Sequence, residues 1–234
     1  MKIYSIADLH LDARNEKPMD VFGEIWMDHD KKIFDHWQKV VKEEDLVLLP
    51  GDISWALALR DAEEDLKKID GMPGRKVITK GNHDFWWSSM RKLRALGLQS
   101  IFFMHNNSYS CENIEVYGTR GWISQSSEDF KKEDEVIHRR ELIRLENSIK
   151  SAPLHRHSLK IAMIHYPPID GNGGLNDFGE KILEYATDIC VYGHLHGLEA
   201  HKRIKETTIG GTRFVCVAAD YLAFELKEIG EVTK

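Results

Sequence analysis

Short apolar runs alternate with amphipathic stretches along the first hundred residues. Predicted strands lie at 2–7, 46–49 and 76–79, and the continuous apolar character of 46–49 is typical of a strand covered on both faces. Between and after these runs, apolar residues recur at helical spacing. The predicted helices of this part cover 30–42, 59–69 and 86–96. Strand and helix thus alternate three times, which predicts a parallel sheet with helices on its faces.

The pattern becomes richer in β-like segments after residue 100. The predicted strands there are 101–104, 109–111, 114–117, 159–164, 189–192, 199–204, 213–217 and 222–226. A long amphipathic helix is predicted over 128–150, capped by Ser126 or Ser127, and a shorter helix over 177–185. No internal repeat or linker is visible, so residues 1–234 are predicted to form one α/β domain.

Polar residues of the metal-binding type follow five of the apolar runs. The runs end at Asp8-Leu9-His10, Gly51-Asp52, Gly81-Asn82-His83-Asp84, His165 and Gly193-His194-Leu195-His196. Sites in open α/β sheets lie at the carboxyl ends of the strands. One histidine at a strand end would mean little, but five such ends predict a shared site. The candidate ligands are Asp8, His10, Asp52, Asn82, His165, His194 and His196.

The donor types of this set restrict the metal. Carboxylate oxygen mixed with imidazole nitrogen favours Mn, Fe or Zn over a site for Ca or Mg alone. No cysteine belongs to the set, which argues against a closed structural zinc site. Seven ligands are too many for one tetrahedral ion, but they suit two ions if a carboxylate bridges them. Asp52 comes from the middle of the set and is the predicted bridge.

These blocks resemble, in the same order, the motif set of the calcineurin-like metallophosphoesterase superfamily, and they span residues 8–196. The resemblance implies an αββα fold, with a two-sheet β-sandwich core flanked by helices. It also implies two ion sites that share one carboxylate. The first would use Asp8, His10, Asp52 and His196, and the second Asp52, Asn82, His165 and His194.

The resemblance further implies the roles of two catalytic residues. A hydroxide bridging the ions would attack phosphorus in line. His83 would protonate the leaving oxygen, and Asp84 would orient or charge-stabilise His83. Asp84 could also cap the following helix, and the two roles can coexist. Trp55 and Arg120 could each contact substrate or serve packing and the surface, and the sequence leaves both alternatives open.

The motifs depart from those of the protein phosphatases in this superfamily. Those enzymes continue their Gly-Asp with a Val-Asp-Arg-Gly type sequence and use Glu after the His. Here Gly51-Asp52 is followed by Ile53-Ser54-Trp55, and His83 by Asp84. A phosphodiester or a small phosphorylated metabolite is therefore the predicted substrate, and protein phosphatase activity is disfavoured. The alternatives are a nuclease and a non-catalytic scaffold with the same fold.

Charge and composition add limits on partners and location. The net charge of −6 argues against a general nucleic-acid or anionic-membrane surface, although two bound divalent cations would reduce it to about −2. The three cysteines form no Cys-x-x-Cys pair and are interpreted as reduced thiols. No signal peptide or membrane-spanning run is visible, so a cytoplasmic protein is expected. The remaining histidines are expected to be exposed: His29, His36, His105, His138, His155, His157 and His201.

Overall fold

The computed structural model describes residues 1–153, 158–170, 172–202, 204 and 206–232. The strands are β1 (Lys2–Ser5), β2 (Leu46–Pro50), β3 (Arg75–Thr79), β4 (Ile101–Phe103), β5 (Tyr109–Cys111), β6 (Ile114–Thr119), β7 (Leu159–Ile164), β8 (Ile189–Tyr192), β9 (Thr207–Ile209), β10 (Thr212–Cys216) and β11 (Lys227–Glu231). The α-helices are α1 (His29–Val40), α2 (Leu59–Asp70), α3 (Met90–Arg94), α4 (Asp134–Ser151), α5 (Asp177–Glu184) and α6 (Leu198–His201). Two 3-10 helices, Met19–Phe22 and Glu24–Trp26, lie between β1 and α1.

The strands form two sheets. The first has the order β11-β1-β2-β3-β4 and the second the order β5-β6-β7-β8-β10-β9. The central strands of both sheets run parallel, and β11, β5 and β9 are the antiparallel edge strands. A parallel bridge between Ala7 and Ala218 links the two sheets beyond the end of β1. The carboxyl ends of β1, β2 and β3 therefore face those of β6, β7 and β8 across one edge.

Alternate residues of the central strands point to different layers. Leu46 and Leu48 of β2 lie in the apolar cluster between the sheets, whereas Val47 and Leu49 pack with residues of α1 and α2. In the second sheet, Ile161 and Met163 enter the same central cluster, and the opposite face of β7 packs with residues of α4 and α5. Both faces of these strands are thus covered, which explains their continuous apolar sequence. The predicted αββα fold is confirmed.

Two predicted helices begin later than their apolar pattern suggested. The helix predicted over 86–96 covers only α3, because Ser89 accepts a hydrogen bond from Lys92 N and starts the helix there. The helix predicted over 128–150 begins at Asp134, and the predicted caps Ser126 and Ser127 lie in preceding turns. The Asp134 carboxylate accepts bonds from Lys131 N and Trp122 Nε1, a tertiary contact that local periodicity does not encode.

Two segments predicted as strands adopt other structures. In the segment predicted over 199–204, residues up to His201 belong to α6. This helix follows Gly197, which has a positive φ and donates a backbone hydrogen bond to Asp220 Oδ2. Residues 222–226 form turns in which Ala223 and Phe224 have positive φ, and the strand comes afterwards as β11. Both strand predictions are wrong, and contacts with distant segments such as that of Gly197 with Asp220 help to fix the backbone. Among the described helices, none has the length and apolar character needed to cross a membrane.

Candidate metal centre

The predicted ligands lie where the central strands end, and several occupy unusual backbone conformations. Asp8, His10, Asp52 and His194 have φ values of 60°, 46°, 53° and 73°. This left-handed region is uncommon for residues other than glycine, although Asp, Asn and His enter it more readily than most. Such strain costs about 1–3 kcal/mol per residue and concentrates at functional sites. The backbone is therefore shaped to direct these side chains to one place.

Asp8, His10 and His196 form the first cluster of donor atoms. One ligand atom from each of the three lies within 4.8 Å of the others. Asp8 Oδ1 is 3.5 Å from His196 Nε2, and the rings of His10 and His196 are 5.4 Å apart. Burial opposes ionisation of Asp8, but the hydrogen bond and positive charge of His196 hold the pKa of Asp8 below its usual range. The cluster offers one carboxylate and two imidazoles to a cation.

Asn82, His165 and His194 form the second cluster. His165 Nδ1 lies 3.0 Å from the carbonyl oxygen of Pro50, which can only accept, so this nitrogen carries the proton. His165 Nε2 then presents its lone pair to Asn82 Oδ1 at 2.6 Å, and His194 Nδ1 lies 2.9 Å from the same oxygen. Burial lowers the pKa of His165. Burial, together with the electrostatic effect of neighbouring His165, lowers the pKa of His194 to about 3.

The lone-pair contact of the second cluster fits a bound cation. A neutral His165 places two acceptor atoms, Nε2 and Asn82 Oδ1, in close and unfavourable contact. A cation between them turns this repulsion into coordination, and neutral imidazole is the form that binds metal. The side chains present therefore suit a divalent transition metal at this position.

Asp52 lies between the two clusters. Its Oδ2 is 3.4 Å from His165 Nε2 and 3.9 Å from His10 Nε2. Among the described residues, no hydrogen-bond donor pairs with this buried oxygen. Burial, followed by the negative charges of Asp84 and Asp8, raises the pKa of Asp52 well above its usual value. A cation on each side would compensate the buried charge, which is the arrangement expected of the predicted bridge.

Two glycines of the motifs allow the carboxylates to approach the backbone. A Cβ on Gly81 would lie 2.1 Å from Asp52 Oδ1, and a Cβ on Gly193 would lie 2.4 Å from Asp8 Oδ2. The neighbouring amides use this space: His83 N donates to Asp52 Oδ1 at 2.7 Å, and His194 N donates to Asp8 Oδ2 at 2.9 Å. Each glycine is therefore needed for the position of one carboxylate.

His83 lies beside the clusters and is half-buried. Its ring is 5.7 Å from that of His10 and 4.5 Å from that of Trp55. Trp55 also stacks on His10, with ring centroids 4.6 Å apart. Burial lowers the pKa of His83, and the electrostatic effect of the neighbouring histidines adds to this. Trp55 therefore packs directly against a candidate ligand and against the predicted general acid.

Asp84 is fully buried, and its carboxylate holds the two ligand-bearing loops together. Oδ2 accepts hydrogen bonds from Asp52 N and Gly81 N, and Oδ1 accepts from Ile53 N, Ser54 N and Trp86 Nε1. Within the described part of the chain, no hydrogen bond joins Asp84 to the His83 ring. The helix-cap alternative is wrong, because Ser89 caps α3. Asp84 is thus a positioning residue, and its electrostatic support of His83 stays a prediction.

Asp220 is a further residue of the site that the strand-end pattern did not identify. Its Oδ1 lies 2.9 Å from His196 Nδ1, and its Oδ2 lies 3.3 Å from His201 Nε2 and 3.0 Å from Gly197 N. Burial alone would lower the pKa of His196, but hydrogen bonds with Asp220 and Asp8 raise it to about 10. Asp220 comes 24 residues after His196, in a turn without a motif, so no local signal pointed to it.

Other histidines and Arg120 also have partners. His138 is only 1% exposed, and His29, His36, His105 and His201 are only partly exposed, so the predicted exposure of these five histidines is wrong. His29 Nε2 lies 3.1 Å from the Leu9 carbonyl and steadies the backbone beside His10. Arg120 donates to buried Glu141 at 3.0 Å, which makes it part of a buried ion pair rather than a free surface residue. His155 and His157 lie outside the described residues.

Comparisons with known proteins agree with this fold. Residues 1–198 match the family model described as calcineurin-like phosphoesterase. Uncharacterized protein MJ1445 of Methanocaldococcus jannaschii is 25% identical over 127 residues, which cover 52% of this chain and 66% of that relative, just under two thirds.

Solved structures with the same fold include two at a TM-score of 0.58. Phosphopantetheinyl hydrolase (PptH) from Mycobacterium tuberculosis is 11% identical, with 97% of this chain and 95% of that chain covered. TT1561 of Thermus thermophilus is 12% identical, with 96% of each chain covered. At these identities the likeness shows the fold, and the family model supplies the assignment. The chain therefore belongs to the calcineurin-like phosphoesterase family.

Proposed function

We propose that this metal-dependent phosphoesterase holds two metal ions, Mn, Fe or Zn, and hydrolyses a phosphodiester or a small phosphorylated metabolite. One observation carries the proposal: Asp52 Oδ2 is buried without a hydrogen-bond partner among the described residues and lies between the imidazoles of His10 and His165. Two ligand clusters thus meet at one carboxylate. A single structural ion would not need this shared position.

The chain's own residues would divide the work between holding metal and moving a proton. Asp8, His10 and His196 would hold one ion, Asn82, His165 and His194 the other, and Asp52 would bind both. Bound ions supply Lewis-acid charge for the phosphoryl oxygens and activate water. The protein contributes a fixed geometry, because Asp84 ties the Asp52 loop to Gly81.

His83 would donate a proton to the leaving oxygen. Its ring lies beside His10 and Trp55 and makes no hydrogen bond to another described residue. The ring nitrogens are therefore available for a hydrogen bond to a substrate. The lowered pKa of His83 makes its protonated ring a stronger acid. The Gly-Asn-His-Asp and Gly-His-x-His blocks favour phosphodiesters over protein phosphates as substrates.

The experiment that tests this proposal is hydrolysis of bis-p-nitrophenyl phosphate, p-nitrophenyl phosphate and cyclic nucleotides with Mn²⁺, by wild type and His83→Ala. We expect a higher kcat/KM for diesters than for monoesters. For poor leaving groups, His83→Ala should lower kcat by about 10²- to 10⁴-fold. The loss should be much smaller for p-nitrophenolate, which departs without a proton.

Equal losses for good and poor leaving groups would contradict the role of His83. No metal-stimulated hydrolysis of any ester by the wild type would contradict the proposed activity itself. A salt titration of nucleic-acid binding addresses the nuclease alternative, for which affinity should appear at low salt.

A further inference from the structure

Phe85 is a large apolar side chain left open to solvent beside the candidate active site. It follows Asp84 directly and is 58% exposed, whereas neighbouring Trp86 is 1% exposed. The Phe85 ring lies 6.3 Å from the His83 ring, with an interplanar angle of 75°. An aromatic ring therefore stands exposed at the edge of the predicted general acid.

Trp55 is a second aromatic neighbour of His83. Its ring is 4.5 Å from His83 and stacks on His10 at 4.6 Å, and Lys17 Nζ lies 5.1 Å from its centroid. Trp55 is thus held in place by its neighbours. A cavity of about 70 Å³ borders Trp55 and is lined in part by Lys17 and by exposed Leu57, but neither His83 nor Phe85 lines it. Phe85, unlike the partly buried Trp55, has a largely solvent-exposed side chain.

The position of the general acid fixes where a leaving group must go. A proton donor has to lie within hydrogen-bond distance of the oxygen that it protonates. The group carried by that oxygen must then lie next to His83, whose ring has both Trp55 and Phe85 as aromatic neighbours. Aromatic side chains stack favourably on other aromatic rings. A single exposed apolar residue is common on a protein surface, so the position of Phe85 beside His83 carries the argument.

We propose that Phe85, the exposed aromatic ring next to His83, forms a subsite for a leaving group that carries an aromatic ring. This inference deepens the proposed function and rests on it, because the direction of the leaving group follows from His83. Phe85 is a specificity-determining residue in this scheme. Metal ions held by the two ligand clusters would bind the phosphoryl group, and the Phe85 ring would select what is attached to it.

Binding of phosphonates tests the subsite without turnover. In a monoester analogue, the single carbon substituent on phosphorus stands in the place of the leaving group. We expect Mn²⁺-loaded wild type to bind benzylphosphonate about tenfold more tightly than ethylphosphonate in calorimetric titrations. Phe85→Ala should remove this preference and leave the affinity for ethylphosphonate unchanged, whereas Phe85→Tyr should keep it.

Val136→Ala is the matched control, because Val136 is a 70% exposed apolar residue on α4. It should leave both affinities unchanged. Equal affinity of the wild type for the two phosphonates would overturn the inference, and so would an equal loss of both affinities in Phe85→Ala. Hydrolysis of bis-p-nitrophenyl phosphate is measured on the same samples. If the protein hydrolyses this diester but binds the two phosphonates equally, only the subsite is overturned. If it prefers benzylphosphonate but hydrolyses no diester, the subsite is supported and the proposed hydrolysis is overturned.

Discussion

Replacing Asp84 by Asn tests how the buried carboxylate between the two ligand-bearing loops acts. The substitution keeps the shape of the side chain and exchanges one oxygen for an amide group. Asn can best satisfy the site by turning its oxygen toward Ile53 N, Ser54 N and Trp86 Nε1. Its NH₂ group then faces Asp52 N and Gly81 N, which are donors themselves.

The expected cost follows from the two donors that lose their acceptor. An unsatisfied buried donor costs about 1–3 kcal/mol, so Asp84→Asn should lower the free energy of unfolding by about 2–6 kcal/mol. This is a large part of the total stability of about 5–15 kcal/mol that is typical of a folded domain. Because the two donors belong to the loops that carry Asp52 and Asn82, the affinity for Mn²⁺ should fall as well.

Urea unfolding of the metal-free protein and calorimetric titration with Mn²⁺ measure the two effects. Asp45→Asn is the matched control, because Asp45 is a buried carboxylate that accepts from Lys2 N and Lys42 N away from the site. It should lower stability by about 1–3 kcal/mol, for one lost acceptor, and leave Mn²⁺ affinity unchanged. Ordinary surface substitutions change the free energy of unfolding by no more than about 0.5 kcal/mol. If the free energy of unfolding of Asp84→Asn lies within this range of the wild-type value and the variant binds Mn²⁺ normally, the positioning role is refuted.

Two further substitutions test the contact of Asp220 with His196 and the protonation of buried Lys76. Asp220→Asn should weaken binding of one Mn²⁺ by about 10- to 100-fold, since this carboxylate orients His196; unchanged affinity in calorimetry would contradict that role. Burial lowers the pKa of Lys76 from 10.5 to about 8, so between these values the unfolded chain holds a proton that the folded chain has released. The contribution of Lys76 to the free energy of unfolding should therefore increase as pH rises from about 8 to 10.5. Lys76→Met should lose this gain, and urea unfolding curves with the same pH dependence as wild type would refute the assignment.

The parts of the fold that follow from local pattern were accessible to sequence reasoning. Strands such as β2 and β7 are buried on both faces and therefore read as continuous apolar runs. The ligands follow those strands directly, so their convergence could be inferred from the parallel arrangement. The motif glycines were visible in the sequence, but their reason became clear only from the approach of Asp52 and Asp8 to Gly81 and Gly193.

The features that the sequence did not reveal depend on contacts between distant segments. Asp220 reaches His196 from a turn in which Ala223 and Phe224 adopt left-handed conformations. Residues 222–226 nevertheless have the composition of a strand. The family resemblance implies that Asp84 supports His83. The hydrogen bonds of Asp84 instead go to the Asp52 loop, about thirty residues earlier, and to Gly81.

Anomalous diffraction from crystals loaded with Mn²⁺ tests the central claim most directly, which is that two cations share Asp52. We predict two anomalous peaks about 3.5–4 Å apart, one near His10 and one near His165, with Asp52 Oδ2 between them. A single peak, or two peaks that do not have Asp52 as a common ligand, would contradict the dinuclear centre and the activity proposed from it.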